Sequence, residues 1–277
     1  GKSRFLSEIS HRLRLKGRDV YFIGIHESIS NDLLDMSNIL KQSMKDTPSE
    51  LIEKYRNELS RILPELRLNI DEGIDTDLNQ KTERFRLYNR IANYFTELSK
   101  EKIIYIIIDD IQKCNSNFVM LLDYLIKNVK GNNVFFIFSF EGSHGEETTL
   151  VKEKINEWKM DSYVMDMELH KLGLEEIGFM VKNILGMSRI PHNLASVLYK
   201  ESQGNPRHIE YIIKHLYNIG EFYINIDGKW HRKGDSYSDL YFPTDFDDAF
   251  KKQLDIIKKN YFDVFKVMAI FDDVLHK

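Results

Sequence analysis

The amino end of the chain carries residues that could bind phosphate. Gly1, Lys2 and Ser3 lead directly into a helix-patterned segment and form the tail of the pattern G-x-x-x-x-G-K-[ST]. In that pattern backbone N–H groups and the helix N-terminus hold phosphate, the lysine reaches the β- and γ-phosphates, and the hydroxyl ligates Mg²⁺. Alone, the triplet is equally consistent with a chance surface sequence.

A second candidate is the acidic pair Asp109 and Asp110, which follows the apolar residues 103–108. A carboxylate at the carboxyl end of a buried strand lies where open α/β sheets bind ligands. We predict that Asp109 holds Mg²⁺ through water and that Asp110 orients or deprotonates an attacking water. The alternative is an acidic pair that caps the next helix. A predicted strand at 20–25 separates Ser3 from Asp109, which is typical of the additional-strand class of phosphate-binding enzymes and favours the catalytic interpretation.

The elements that must position these residues alternate between strands and helices. Apolar runs predict four strands, and periodic apolar residues predict the helices between them. This alternation predicts an open α/β sheet with right-handed crossovers. The strands are predicted at 20–25, 103–108, 134–138 and 163–167, and the helices at 4–15, 30–66 (two), 80–99, 118–125 and 147–159.

Beyond Leu172 the pattern becomes helical. Three helices are predicted at 174–186, 191–202 and 207–218. A β-hairpin follows, because Asp227-Gly228 supplies the positive φ angles of a type I′ turn. A final helical pair is predicted at 245–258 and 261–275.

Composition excludes several classes of function. A formal net charge of −4 among 277 residues argues against a general nucleic-acid surface. No apolar run approaches the ~20 residues that cross a bilayer, so no membrane partner is expected. The single cysteine, Cys114, excludes an internal disulfide and fits a reducing compartment. We therefore expect a cytoplasmic protein, with Cys114 as a packed thiol.

Two segments resemble one family. Residues 106–112 resemble the Walker B segment of the STAND ATPases, which are related to AAA-type and origin-recognition-like ATPases, and residues 204–210 resemble their G-N-P motif. The resemblance implies a P-loop NTPase open parallel sheet that lacks its first strand, a helical lid and the start of a winged-helix-like module. The corresponding domains are the core at 1–170, the lid at 171–220, and the hairpin with a partial winged-helix-like segment at 221–277.

The resemblance also implies ATP and Mg²⁺ as cofactors and assigns the site. Asp110 is the catalytic residue, and Ser3 and Asp109 are the metal ligands. Pro206 lies against the base, Arg207 resembles a sensor arginine that reaches the γ-phosphate, and Ser139 is a polar residue of the sensor strand. The remaining nucleotide contacts are Gly1, Lys2 and Ser3.

Some features depart from the family pattern. Glu141 stands where the family often has an arginine, so hydrolysis is expected to be slow or partner-dependent. For residues 204–206, an ordinary loop and helix N-cap is the alternative to a nucleotide contact.

The resemblance implies an ATP-binding, ATP-hydrolysing regulatory switch in a larger bacterial signal-transduction protein. Its partners would be ATP or ADP, effector and sensor domains of the same longer chain, and a second copy through self-association. The first alternative is a degenerate, non-catalytic NTPase-fold scaffold for protein–protein assembly. A DNA-binding origin-type ATPase is the second alternative, disfavoured by the acidic balance.

The chain is expected to be a fragment, cut at both ends. A strand before Gly1 would sit centrally in the sheet, among the neighbours of the strand at 103–108. Its loss predicts unpaired apolar edges, poor ATP binding and a tendency to aggregate.

Overall fold

The computed structural model describes residues 1–25, 33–66, 81–129, 131–141, 148–227 and 230–234. They form two compact units: Lys2–Glu168, and the residues from Leu169 onward grouped with Gly1. In the described ranges, no helix is long and apolar enough to span a membrane.

The first unit is built on a three-stranded parallel sheet. Its strands are β1 (Asp19–Gly24), β2 (Ile104–Asp109) and β3 (Val134–Phe138), in the spatial order β1-β2-β3. Gly24 pairs with Asp109 at one end of the β1–β2 ladder, and Ile108 pairs with Phe138 in the β2–β3 ladder. The predicted α/β fold with an open parallel sheet is confirmed, as are the first three predicted strands.

Helices cover both faces of this sheet, which explains why β2 is apolar throughout. Ile106 and Ile108 point into the larger core, whereas Ile107 packs with Leu6 and Val20 on the opposite face. Because strand side chains alternate between faces, both sets must be apolar. The helices of this unit are α1 (Lys2–Leu15), α2 (Leu34–Met44), α3 (Ser49–Leu59), α4 (Lys81–Leu98), α5 (Ser116–Asn128) and α6 (Thr148–Lys159), with short 3₁₀ turns at Pro64–Leu66 and Ile111–Lys113.

The predicted fourth strand at 163–167 is wrong. The structure has no strand there, and Tyr163 and Met165 are 76% and 86% exposed. Alternating apolar residues form a strand only where a neighbouring strand can pair with the backbone. In the described part of the chain, β3 pairs with β2 alone.

The expectation that a further strand would lie beside the Walker B-like strand is also wrong. β2 pairs with β1 along one edge and with β3 along the other. A strand has only two edges for hydrogen bonding, so the described sheet has no place for another strand beside β2.

The second unit is helical with a small hairpin. Its elements are α7 (Leu174–Ile184), α8 (His192–Ser202), α9 (Pro206–Asn218), β4 (Phe222–Ile224) and β5 (Trp230–Arg232). The helices pack around their own buried cluster, which includes Ile177, Leu198 and Ile212. The three helices and the antiparallel hairpin predicted here are confirmed. The predicted two-residue type I′ turn at Asp227-Gly228 is wrong, because Ile224 pairs with Trp230 and Asp227 is not among the residues with positive φ. The predicted helical pair at 245–258 and 261–275, and with it the winged-helix-like segment, lies outside the described residues.

Candidate functional site

Asp109 is the last residue of β2, and its side chain is held in place. Asp109 is 8% exposed, and its backbone carbonyl accepts a hydrogen bond from the N–H of Ile25. The Ser139 hydroxyl donates to Asp109 Oδ1, while no described residue donates to Oδ2. The carboxylate is therefore oriented through one oxygen and retains the other for a water or metal ligand.

Asp110 leaves the strand in a left-handed conformation, with φ 60° and ψ 49°. Aspartate tolerates this conformation better than most residues. Its carboxylate accepts two hydrogen bonds, from Gln112 Nε2 at 3.1 Å and from Lys113 Nζ at 3.0 Å.

The charge state of Asp110 follows from these neighbours. Partial burial raises the pKa of the carboxyl, but the hydrogen bonds from Lys113 and Gln112 and the positive charges of Lys113 and Lys2 outweigh it. The net result is a pKa below the ordinary value. Asp110 is thus an ionised hydrogen-bond acceptor at neutral pH, suited to orienting a water and weak as a base.

Ser139 connects the ends of β2 and β3. It follows β3, is 5% exposed, and its backbone N–H donates to the carbonyl of Ile108 at 3.0 Å. Its own carbonyl accepts from the N–H of Ile111, and its Oγ accepts from the N–H of Asp110 at 2.8 Å. Because the hydroxyl proton goes to Asp109, Ser139 positions both acids. Its predicted contact with a nucleotide stays a prediction.

The geometry of α1 brings Lys2 to the same edge of the sheet. The helix has 14 residues, about 21 Å at ~1.5 Å each, and β1 has six residues, about 20 Å at ~3.3 Å each. Gly17, with φ 70°, ends the helix and turns the chain back into β1. Since the two elements run in opposite directions and are equally long, the amino end of α1 lies level with the carboxyl end of β1.

A polar chain links Lys2 to the acids. Lys2 Nζ lies 3.6 Å from Glu141 Oε2, and the backbone N–H of Glu141 donates to Gln112 Oε1 at 3.2 Å. Gln112 in turn holds Asp110, and the charge of Lys2 acts on the pKa of Asp110. The amine at the amino end and the paired acids therefore lie at one edge of the sheet.

Sequence reasoning missed the parts played by Gln112, Lys113 and Glu141. Lys113 stands three residues after Asp110 across a 3₁₀ turn, so this spacing could have predicted their ion pair. Gln112 and Glu141 carried no such local signal, because their hydrogen bond spans 29 residues.

The predicted metal ligands fit a magnesium site without forming one by themselves. In the part of the chain that the structure describes, no three His, Cys, Asp or Glu side chains cluster as a metal site. Mg²⁺ in phosphate-binding enzymes is held by one or two carboxylates together with waters and substrate phosphates, so Asp109 with its second oxygen available is compatible. Ser3 is exposed in the first turn of α1, and its ligand role stays a prediction.

The other candidate residues have structural explanations. Asn205 caps α9 by accepting from the N–H groups of Arg207 and His208, and Pro206 occupies the first turn, where its missing N–H costs nothing. The nucleotide roles of Pro206 and Arg207 stay predictions. The expected packed thiol is confirmed, since Cys114 is buried and burial raises its pKa.

Comparison with known families identifies the fold. A model of the KAP family P-loop domain matches residues 1–157, a range that contains Lys2, both acids, Ser139 and Glu141. The chain belongs to the KAP family of P-loop domains. The KAP match confirms the prediction of a P-loop NTPase, a nucleotide-binding class of domain, without distinguishing the STAND or AAA-type relatives. No curated protein and no solved structure matches the chain.

Proposed function

We propose that the first unit binds ATP with Mg²⁺ and hydrolyses it, as a regulatory switch within a larger bacterial signal-transduction protein of the STAND type. The observation that supports this most is the convergence of Lys2 and the paired acids at one sheet edge. Lys2 reaches Glu141 and acts on the pKa of Asp110. Only the folded chain brings these residues together, and the KAP family match includes all of them.

Each residue then has a part. Asp109, held by Ser139, and Ser3 would hold Mg²⁺, which supplies positive charge to the phosphates. Lys2 would contact the β- and γ-phosphates, and the backbone of Gly1 would contribute to the phosphate cradle. Asp110, ionised and held by Gln112 and Lys113, would orient the attacking water.

The second unit would contribute a lid. Pro206 would lie against the base and Arg207 would reach the γ-phosphate, so the nucleotide would contact the lid differently before and after hydrolysis. Such differential contacts bias two domain arrangements. The partners would be effector and sensor domains of the same longer chain, or a second copy, in the cytoplasm.

Calorimetric titration of Mg²⁺-ATP into the full-length protein tests the proposal. Asp109→Asn should weaken binding at least about tenfold in Mg²⁺ and have little effect in EDTA, because it removes the charge that holds the metal. The matched control is Asp166→Asn, which removes a carboxylate from an exposed ion pair with Lys159 and should bind like the wild type. Absence of ATP binding by a full-length protein whose circular dichroism shows an intact fold would refute the proposal.

The runner-up is a non-catalytic scaffold, and Glu141 favours it because its carboxylate lies 3.6 Å from the Lys2 amine that would contact phosphate. Asp109→Ala separates the two functions. A switch would lose the nucleotide dependence of its partner binding, whereas a scaffold would bind its partner equally with and without ATP.

A further inference from the structure

Lys2 already has an anionic partner. Its amine lies 3.6 Å from the carboxylate of Glu141, and in the pattern G-x-x-x-x-G-K-[ST] this amine reaches the β- and γ-phosphates. The place of an anion beside Lys2 is therefore taken by a side chain of the protein itself.

The backbone of Glu141 is anchored where its side chain can reach Lys2. Glu141 lies two residues after Ser139, which is tied to β2, and its N–H donates to Gln112 Oε1. Gln112 is itself 6% exposed and holds Asp110. These bonds hold the backbone of Glu141 at a position from which its carboxylate reaches Lys2.

The ion pair itself is weak and exchangeable. At 3.6 Å the two charges are close without a direct hydrogen bond, and their side chains are 35% and 49% exposed. Such pairs are readily displaced by a competing anion. A triphosphate could therefore replace Glu141 at Lys2 without disrupting the fold.

We propose that Glu141 is a built-in competitor of the nucleotide, which neutralises Lys2 in the nucleotide-free protein and must move away when the triphosphate binds. This inference rests on the proposed nucleotide binding. Two effects of Glu141 then weaken binding: its attraction to Lys2 must be lost, and its negative charge repels the phosphates. Glu141 thus lowers the affinity for nucleotide, because its carboxylate must leave Lys2 before the phosphates can bind there.

The substitution Glu141→Gln tests the inference, because it removes the charge and keeps the side-chain size and the backbone N–H to Gln112. Calorimetry should show about fivefold tighter Mg²⁺-ATP binding than the wild type, equivalent to ~1 kcal/mol. The gain should be smaller for AMP, which lacks the phosphates that Lys2 contacts. It should also shrink as salt is raised.

The matched control is Glu65→Gln, which changes the net charge equally and removes a similarly exposed ion pair with Lys41. It should leave ATP affinity unchanged. If Glu141→Gln binds ATP no tighter than the wild type, or if Glu65→Gln gains as much, Glu141 is not a competitor although nucleotide binding stands. If neither the wild type nor Glu141→Gln binds ATP with the fold intact, nucleotide binding itself fails and the inference falls with it.

Discussion

Two regions of the molecule contain residues singled out from sequence motifs, and they are built differently. In the loop before α9, the Asn205 side chain bonds only two and three residues ahead, which is ordinary helix capping, and the Gly204 carbonyl accepts a backbone hydrogen bond from Leu172. At the edge of the sheet, Ser139 bonds Asp109 and Asp110 across 30 and 29 residues. Helix capping and backbone packing are enough to explain the contacts of the loop before α9. A buried polar network that joins distant segments needs a different explanation, and this contrast makes the sheet edge the stronger functional site.

The largest expected effect tests whether the loop before α9 is needed for the stability of the second unit. Gly204 has φ +79°, and a Cβ there would lie 2.4 Å from the carbonyl oxygen of Leu172. Gly204→Ala should therefore destabilise the second unit by about 3 kcal/mol, combining left-handed strain with a backbone clash. Hydrogen exchange of the α9 amides measures this.

The control for this substitution is Gly186→Ala in the same unit. Gly186 also has a positive φ, +58°, but a Cβ there would meet no atom within 4 Å. Only the strain of about 1–2 kcal/mol is expected. Equal effects of the two substitutions would show that the close approach to Leu172 does not matter.

The next effect tests the network at the sheet edge. Ser139→Ala removes a donor to the Asp109 carboxylate and the acceptor of the Asp110 N–H. Removing these bonds from one buried and one partly buried group should cost about 2 kcal/mol, measured as faster hydrogen exchange of the β2 amides. Mg²⁺-ATP should also bind more weakly, because Asp109 is no longer oriented.

Ser99→Ala is the matched control, since Ser99 is also buried but its hydroxyl donates only to the nearby carbonyl of Thr96. A cost of about 0.5–1 kcal/mol is expected there, with no change in nucleotide affinity. If Ser139→Ala changes stability and nucleotide affinity as little as Ser99→Ala does, the polar network at the sheet edge has no more functional importance than the loop before α9.

The smallest effect concerns pH. Burial raises the pKa of Asp110, but the combined lowering by Lys113, Gln112 and Lys2 is larger. The pKa in the folded protein therefore lies below the pKa in the unfolded chain. The stabilisation is therefore present above about pH 4, the unfolded value for aspartate, and is lost as pH falls through the folded pKa. Asp110→Asn should abolish this pH-dependent contribution to the free energy of unfolding, which is about 0.5–1 kcal/mol. Urea unfolding measured from pH 7 to pH 3 checks the prediction.

Lys113→Gln provides the comparison, because it removes the cation and leaves the carboxylate of Asp110. It should reduce the same pH dependence partially. An Asp110→Asn protein whose unfolding free energy falls with acid as steeply as that of the wild type would contradict the assignment.

Much of the first unit could be predicted from residue patterns, and particular residues show where prediction ended. The apolar run before Asp109 predicted a strand with the acid at its end, because burial on both faces requires continuous apolar side chains. The same reasoning failed at 163–167, where alternation exists but the segment pairs with no strand of the described sheet. The bonds of Gln112 and Glu141 could not be predicted, because they depend on how β2 and β3 align.

Apart from the segment 163–167, the sequence by itself determined the types of the described elements and their approximate bounds. It also determined the presence of Lys2 and the paired acids at the ends of a helix and a strand. These features follow from local periodicity and local backbone preference, which a single chain displays directly. Only the tertiary structure decided that Ser139 orients both acids and that Glu141 faces Lys2. Those contacts depend on strand register and on the direction in which α1 packs, which are set by long-range packing that no local pattern encodes.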